Sequence, residues 1–291
     1  MNLVVRDVCK SFGSVQALDH LSLELKNGIY GILGPNGAGK STFINLLTDN
    51  LKRESGEILL DGKDILEWGE EYRKLVGYMP QQQICYEGFT VQYFLEYMAA
   101  LKGLSLKNES VREQIQELLK RVNLYEVRNR KIGGFSGGMK RRAILAQALL
   151  GEPKILILDE PTAGLDPKER ISLRNMIAEL ATNRIVLLAT HIVSDIECIA
   201  DSVILMKKGK VICCKSAGQL IDDIREKVLE IECDAVQLKE LQQRYPSSNV
   251  YQGREGFVLH VIGSGIQEAE ARKADNINLE DVYLYYFEGK E

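Results

Sequence analysis

The stretch Gly34-Pro35-Asn36-Gly37-Ala38-Gly39-Lys40-Ser41-Thr42 narrows the possible folds of this chain more than any other. It matches G-x-x-x-x-G-K-[ST] in full, and chemistry accounts for each residue type. Glycines let backbone N–H groups approach phosphates, the Lys40 ammonium reaches the β- and γ-phosphates, and the Ser41 hydroxyl ligates Mg²⁺. The short apolar run Ile29-Tyr30-Gly31-Ile32-Leu33 before it reads as a strand entering a loop. A helix is predicted after it, its N-terminus turned to the anion.

A second constraint is Ile155-Leu156-Ile157-Leu158-Asp159-Glu160, four aliphatics followed by two carboxylates. A buried strand that delivers an acid at its C-terminal end places Asp159 near the metal of the phosphate loop. Glu160 then sits beside the γ-phosphate, where a carboxylate polarises an attacking water. Taken alone, such a pair also describes an ordinary strand end with solvated acids. The complete phosphate loop upstream favours the catalytic reading.

Around these motifs the 291 residues divide by pattern. Residues 1 to about 26 alternate like strands, and residues from about 90 to 150 carry apolar positions at helical spacing, such as Ile115, Leu118, Leu119 and Val122. Continuous apolar runs at 155–158, 184–190 and 202–206 read as strands covered on both faces of a mainly parallel sheet. After Gly209-Lys210-Val211-Ile212 the character changes. Two alternating runs, 228–233 and 256–262, accompany helical patterns at 235–245 and 265–274. The expected division is an α/β nucleotide-binding domain over 1–216, with a helical subdomain at about 83–150, and an α+β accessory domain over 217–291.

Composition removes several classes. A net charge of −4 with both signs dispersed, and Lys140-Arg141-Arg142 as the longest basic cluster, fall short of a nucleic-acid footprint. The six cysteines form no C-x-x-C pair and there are three histidines, so thiols in a reducing cytosol are expected rather than a zinc site. No run approaches the ~18 apolar residues of a membrane helix, and the N-terminus shows no secretion signal.

The segment Gly133-Gly134-Phe135-Ser136-Gly137-Gly138-Met139-Lys140-Arg141-Arg142 resembles the signature motif of ABC ATPases, usually Leu-Ser-Gly-Gly-Gln. Other marks of that family fall in order around it. Phe12 resembles the aromatic that stacks on adenine, although an edge-strand phenylalanine reads the same way. Gln81, after Pro80, resembles the Q-loop glutamine, a metal ligand and water-positioning group. Asp166, in Ala163-Gly164-Leu165-Asp166, resembles the D-loop, and His191 the switch histidine that contacts the γ-phosphate. Phe135 and Met139 depart from the usual Leu and Gln, whereas Ser136, Gly137 and Gly138 are kept. The resemblance covers about residues 1–215. It implies a P-loop NTPase cassette of α/β class, with an antiparallel β edge, a helical subdomain and a small C-terminal α+β domain. It also implies ATP and Mg²⁺ as ligands, with Ser41, Gln81 and Asp159 around the metal.

In that family two cassettes pair head to tail, so Ser136 with its two glycines would cover the nucleotide of the opposing subunit. The expected partners are therefore a second copy and a separate transmembrane permease, with no nucleic acid, at the cytoplasmic face of the cell membrane. A P-loop kinase would lack the Ser-Gly-Gly signature. Soluble ABC proteins of repair or translation usually carry two cassettes or a long coiled coil. Within transporters, residues 29–33, Tyr97-Met98-Ala99-Ala100-Leu101-Lys102-Gly103, 136–139 and the ending Asn278-Leu279-Glu280-Asp281-Val282-Tyr283-Leu284-Tyr285 resemble the ABC-2 group of bacitracin and multidrug exporters. Importers share several of these marks. The aromatics Tyr86, Phe89, Tyr93 and Phe94 are candidate contacts for a membrane subunit, or else helical-subdomain core.

Overall fold

In the computed structural model, which describes residues 1–82, 86–245, 248–253, 256–262 and 271–288, the alternating N-terminal segment forms an antiparallel sheet. Strands β1 (Asn2–Phe12) and β2 (Val15–Lys26) pair so that Leu3 faces Leu25 and Val5 faces Leu23. Strand β3 (Gly28–Leu33) leaves this sheet for the next one and leads into helix α1 (Lys40–Leu47). Strands β4 (Ser55–Leu60) and β5 (Lys63–Asp64) complete the antiparallel sheet in the order β2-β1-β4-β5. Short helices α2 (Ile65–Trp68) and α3 (Glu70–Leu75) return the chain to β6 (Val76–Met79).

The helical region follows as α4 (Val91–Leu101), α5 (Glu109–Arg121) and α6 (Gly137–Ala148). Then strand and helix alternate through β7 (Ile155–Asp159), α7 (Pro167–Leu180), β8 (Ile185–Ala189), α8 (Val193–Ile199) and β9 (Ser202–Lys207). Strand β10 (Lys210–Lys215), at which the sequence pattern only hints, folds back antiparallel on β9. The main sheet runs β10-β9-β3-β8-β7-β6, parallel except for β10.

Both faces of that sheet are buried, which explains its unbroken apolar strands. Leu156 and Leu158 of β7 belong to one apolar cluster with the helical region, while Ile155 and Ile157 belong to another with α1 and the antiparallel sheet. Successive side chains of a strand point to opposite faces, so a run covered on both sides has no polar position.

The C-terminal segment contains α9 (Ala217–Ile224), β11 (Val228–Cys233), α10 (Ala235–Arg244), β12 (Ser248–Gln252), β13 (Phe257–Ile262), β14 (Arg272–Lys273) and α11 (Leu279–Phe287). Its strands form a third, antiparallel sheet ordered β12-β13-β11-β14. The helical pattern expected at 265–274 does not persist to its end, because Arg272 and Lys273 pair with β11; residues 265–270 lie outside the described residues. Helix α10 covers Ile231, Cys233, Leu259 and Val261 on one face of the sheet. Its other face carries Glu230 and His260, with Asp281 of α11 against them at 3.2 Å from His260 Nδ1. Leu220, Ile224, Leu279 and Val282 join the same apolar cluster as the main sheet, so α9 and α11 share its core.

Replacing fully buried Leu279 by Ala removes apolar surface from the joint between α11 and the main sheet. Such a truncation costs about 2–5 kcal/mol. Urea unfolding should show the midpoint falling accordingly; an unchanged midpoint means α11 is not packed there.

Candidate functional site

The loop after β3 is shaped by glycines that no other residue can replace. Gly37 and Gly39 take positive φ, 79° and 100°. A Cβ on Gly39 would lie 2.5 Å from the Ala17 carbonyl oxygen, and one on Gly34 only 2.2 Å from that of Met206. No side chain caps the N-terminus of α1. Its first-turn N–H groups are therefore left for an anion at the loop. Lys40 Nζ donates to the carbonyl oxygens of Gly34 at 2.6 Å and Pro35 at 3.0 Å, which pins the ammonium across the loop. Ala38 is buried and its carbonyl accepts from Gly209 N–H at 3.0 Å. Asn36, Gly37 and Ser41 are exposed at the rim, and Thr42 is half-buried behind them.

Two strands away, Asp159 closes β7 and Glu160 turns with φ 51°, left-handed and unusual for a residue with a side chain. Its N–H donates to the Ala189 carbonyl at 2.8 Å. Glu160 Oε1 accepts from the His191 N–H at 2.9 Å and lies 2.8 Å from His191 Nδ1, while Oε2 accepts from the Thr190 hydroxyl at 3.1 Å. This geometry calls for a proton on Nδ1, leaving Nε2 of the exposed ring turned outward as the free position.

The charges within reach act on one another. Burial pushes the Asp159 carboxyl up and the Glu160 charge adds to it, against the opposing pull of Lys40. Burial lowers Lys40 in turn, offset by Glu160 and then Asp159. The loop thus keeps a cation and two carboxylates partly desolvated and close together, a configuration that costs stability and suits a multiply charged ligand.

The remaining residues singled out in the sequence lie around this centre. Gln81 is exposed just past β6, at the same edge of the sheet; Gln83 and Cys85 lie outside the described residues. Phe12 ends β1 with 49% of its surface exposed, so it is not a core residue. Ser136 caps α6, its hydroxyl accepting from Met139 N–H at 3.2 Å, with Ser136 and Gly137 exposed. Gly138 lies against Glu169, whose carboxylate would have to move to admit a Cβ, 2.5 Å away. Asp166 caps α7 by accepting from Glu169 N–H at 3.0 Å. Of the four aromatics, Phe94 is a core residue, 2% exposed, which removes it as a surface contact. Tyr86 and Tyr93 are exposed and sandwich Phe89, with ring centroids 5.0 and 4.6 Å away.

Three groups escape sequence reasoning. Thr190 gives no signal of its own beside His191. Arg141 reads as part of a solvated basic cluster, yet it is 8% exposed and donates to the carbonyls of Glu160 and Ala163, both at 2.7 Å. Its position three residues after Gly138 and four before Leu145, on the buried face of the helix, is the available signal. Asp195 is fully buried in α8, where it accepts from Thr162, Arg170 and Arg174. Nothing in the local sequence marks it.

Comparison with known proteins shows the family of the chain. The sequence profile of the ABC transporter family matches residues 18–163. The uncharacterized ABC transporter ATP-binding protein YxlF of Bacillus subtilis (strain 168) is 41% identical over 210 residues, 72% of this chain and 69% of that one. ABC transporter A family member 8 of Dictyostelium discoideum is 34% identical over 75% of this chain, a match that spans only 27% of that larger protein. Among solved structures, the dimeric post-hydrolysis state of the ATP-binding cassette MJ0796 bound to ADP and Pi superposes with a TM-score of 0.64. It is 26% identical, covering 74% of this chain and 98% of that one.

The raised Asp159 carboxyl yields a prediction about stability. A carboxyl whose folded pKa lies above its unfolded value opposes folding once ionised, and the opposition fades as pH falls through the usual carboxylate range. Asp159→Asn should therefore raise the thermal midpoint of the protein without nucleotide at pH 7, with the gain disappearing toward pH 3. A lower midpoint at pH 7 would show that the charge is compensated in the fold.

Proposed function

The chain belongs to the family of ABC transporter ATP-binding proteins, and from that membership we propose a homodimeric ATPase that drives separate membrane-spanning subunits. The observation that carries the reading is the presence of two anion-binding surfaces in one chain. Lys40, Asp159, Glu160 and His191 converge at the edge of the main sheet, while Ser136, Gly137 and Gly138 head a different helix, with Ser136 and Gly137 facing solvent. A second copy placed head to tail lets each nucleotide meet both surfaces; the ATP-binding cassette MJ0796, solved as a dimer, supports the pairing of two copies.

In this proposal the phosphates lie on the loop of residues 34–42 and the adenine stacks on exposed Phe12. Among the described residues no cluster of three or more His, Cys, Asp or Glu could hold a metal. The oxygens at hand are the Asp159 carboxylate, the Ser41 hydroxyl and the Gln81 amide, a hard donor set that fits Mg²⁺ when phosphates and water complete the shell. The partly buried Asp159 carboxylate, raised in proton affinity, is the donor a cation would compensate. Mg²⁺ bound there supplies neutralisation of charge on the β- and γ-phosphate oxygens. Glu160 takes the proton of the water that attacks the γ-phosphate, and Lys40 offsets the charge that develops. With its Nδ1–H engaged by Glu160, His191 donates to the same phosphate from Nε2 as the doubly protonated ring, and Ser136 of the partner subunit closes it from the other side.

No helix of the described residues is long and apolar enough to cross a membrane. The reading puts the chain peripherally at the cytoplasmic face of the cell membrane, bound to its permease. The exposed rings of Tyr86 and Tyr93, packed on half-buried Phe89, suit an apolar helix of that permease. Residues 97–103 and 136–139 favour export, as the ABC-2 exporters carry similar stretches.

Glu160→Gln tests the catalytic and dimeric parts together. The amide keeps the shape but accepts no proton, so hydrolysis should fall by ~10²–10⁴ while ATP still binds. Light scattering should then find a dimer with ATP and a smaller species without it, and Ser136→Arg added to this variant should abolish the dimer. A monomer in both conditions refutes the nucleotide sandwich; near-normal hydrolysis refutes the role of Glu160.

We also propose that residues 1–216 and 217–291 are separate functional units. Every nucleotide-facing residue lies in the first, but α9 and α11 lend it core. A chain ending at residue 216 should bind a fluorescent ATP analogue with near-normal affinity and melt at a lower temperature. Loss of binding would make the C-terminal segment part of the site.

A further inference from the structure

Helix α6 is fastened to the segment after β7 at two adjacent points. Arg141 places one guanidinium nitrogen 2.7 Å from the carbonyl oxygen of Glu160 and another 2.7 Å from that of Ala163, so its fork spans the whole turn of residues 160–163. Arg142, the next residue, grips both carboxylate oxygens of Glu169 at 2.9 and 2.8 Å. Glu169 lies in the first turn of α7, which Asp166 caps. The Glu169 carboxylate also occupies the space a side chain at position 138 would need. The helix that begins at Ser136 and the segment 160–169 therefore have little freedom to move separately.

The Glu160 end of this fastening is a left-handed turn. A glutamate at φ 51° keeps that conformation only where its surroundings fix it. The Ala189 carbonyl fixes its N–H, and Arg141 fixes its C=O. Burial of the guanidinium, 8% exposed, strengthens both of its bonds to main-chain oxygen.

We propose that Arg141 is a positioning residue for hydrolysis, tying the Glu160 carboxylate to the helix that Ser136 presents to the partner's nucleotide. Each chain's own water-activating group is then set by how that chain closes on the other site. This rests on the two-surface dimer proposed above and adds a physical link between the two nucleotides. A lysine retains the charge but has no planar fork to bridge two carbonyls three residues apart. The displacement of Glu160 in Arg141→Lys should therefore cost on the order of tenfold to a hundredfold in kcat.

The test uses the full chain carrying Arg141→Lys or Arg141→Gln, assayed well below the thermal midpoint of each. Expected is a fall in kcat with the KM for ATP within about twofold of the parent. In the Glu160→Gln background, the slow single-turnover hydrolysis should not fall further when Arg141→Lys is added, because the group it positions is already disabled. ATP should still drive that double variant to a dimer. Normal kcat in both variants overturns the proposal. So does an equal loss of rate in the parent and Glu160→Gln backgrounds, which would assign Arg141 another route. Loss of the dimer in the double variant alone would restrict Arg141 to supporting the Ser136 surface and equally overturns it. Failure of Glu160→Gln itself to dimerise strikes the two-surface reading instead, and the kcat comparison between backgrounds then still decides whether Arg141 acts through Glu160. If Arg141→Gln does not fold, the lysine variant carries every arm.

Discussion

Strand β8 lies between β3 and β7, hydrogen-bonded to both, and the register of those two ladders fixes the site. Ala189 stands level with Ile32 on one side and with Asp159 on the other. Leu158 in turn stands level with Met79 of β6. Four neighbouring strands thus end at one height, and the loop after Leu33, the pair Asp159–Glu160, the pair Thr190–His191 and Gln81 all leave the sheet together. The apolar faces protect this register. A slip of one residue in β7 would exchange Leu156 and Leu158 with Ile155 and Ile157, moving each set into the wrong cluster.

What the sheet assembles is electrostatically expensive. Lys40, Asp159 and Glu160 sit partly out of water, with the Glu160 charge acting against Asp159 and Lys40 opposing it. The fold spends its hydrogen bonds on orientation. Lys40 is tied to main-chain oxygens of its own loop, and Glu160 to Thr190, His191 and, through its backbone, Arg141. A ligand bearing several phosphate charges and a divalent cation would satisfy these groups better than protein alone does, which is why stability and binding pull in opposite directions at Asp159.

Much of this is legible in the sequence for a physical reason: the loop and the strand-end acids depend on local spacing. Positions 34–39 set a turn in which Gly34 and Gly39 leave no room for a Cβ, and four aliphatics before Asp159 are a strand buried on both faces. Groups that meet only in three dimensions leave weaker traces. Arg141 looks like one of three surface cations, but Lys140 pairs with Glu87, Arg142 with Glu169, and Arg141 turns inward. Phe94 looks like its exposed neighbours Tyr86 and Tyr93, because i and i+1 on a helix face differently and the sequence does not say which face is covered. The strands β12 and β14 escape the pattern because short edge strands show few alternations.

The C-terminal segment reaches the site through α8. That helix starts two residues after His191, and its buried Asp195 is held by Arg170 at 2.6 Å and Arg174 at 3.2 Å, with Thr162 as a third partner. Its opposite side meets α11, where burial raises the Glu197 carboxyl, the Leu279 backbone lowers it and the Glu280 and Asp281 charges raise it further. The helix that follows His191 is therefore held on one side by α7 and on the other by the C-terminal segment. Lys207 of β9 adds a tie to the Tyr286 carbonyl at 2.9 Å. A segment that shares its apolar core with the main sheet also packs on α8, so displacing α11 would strip apolar cover from the helix that follows His191.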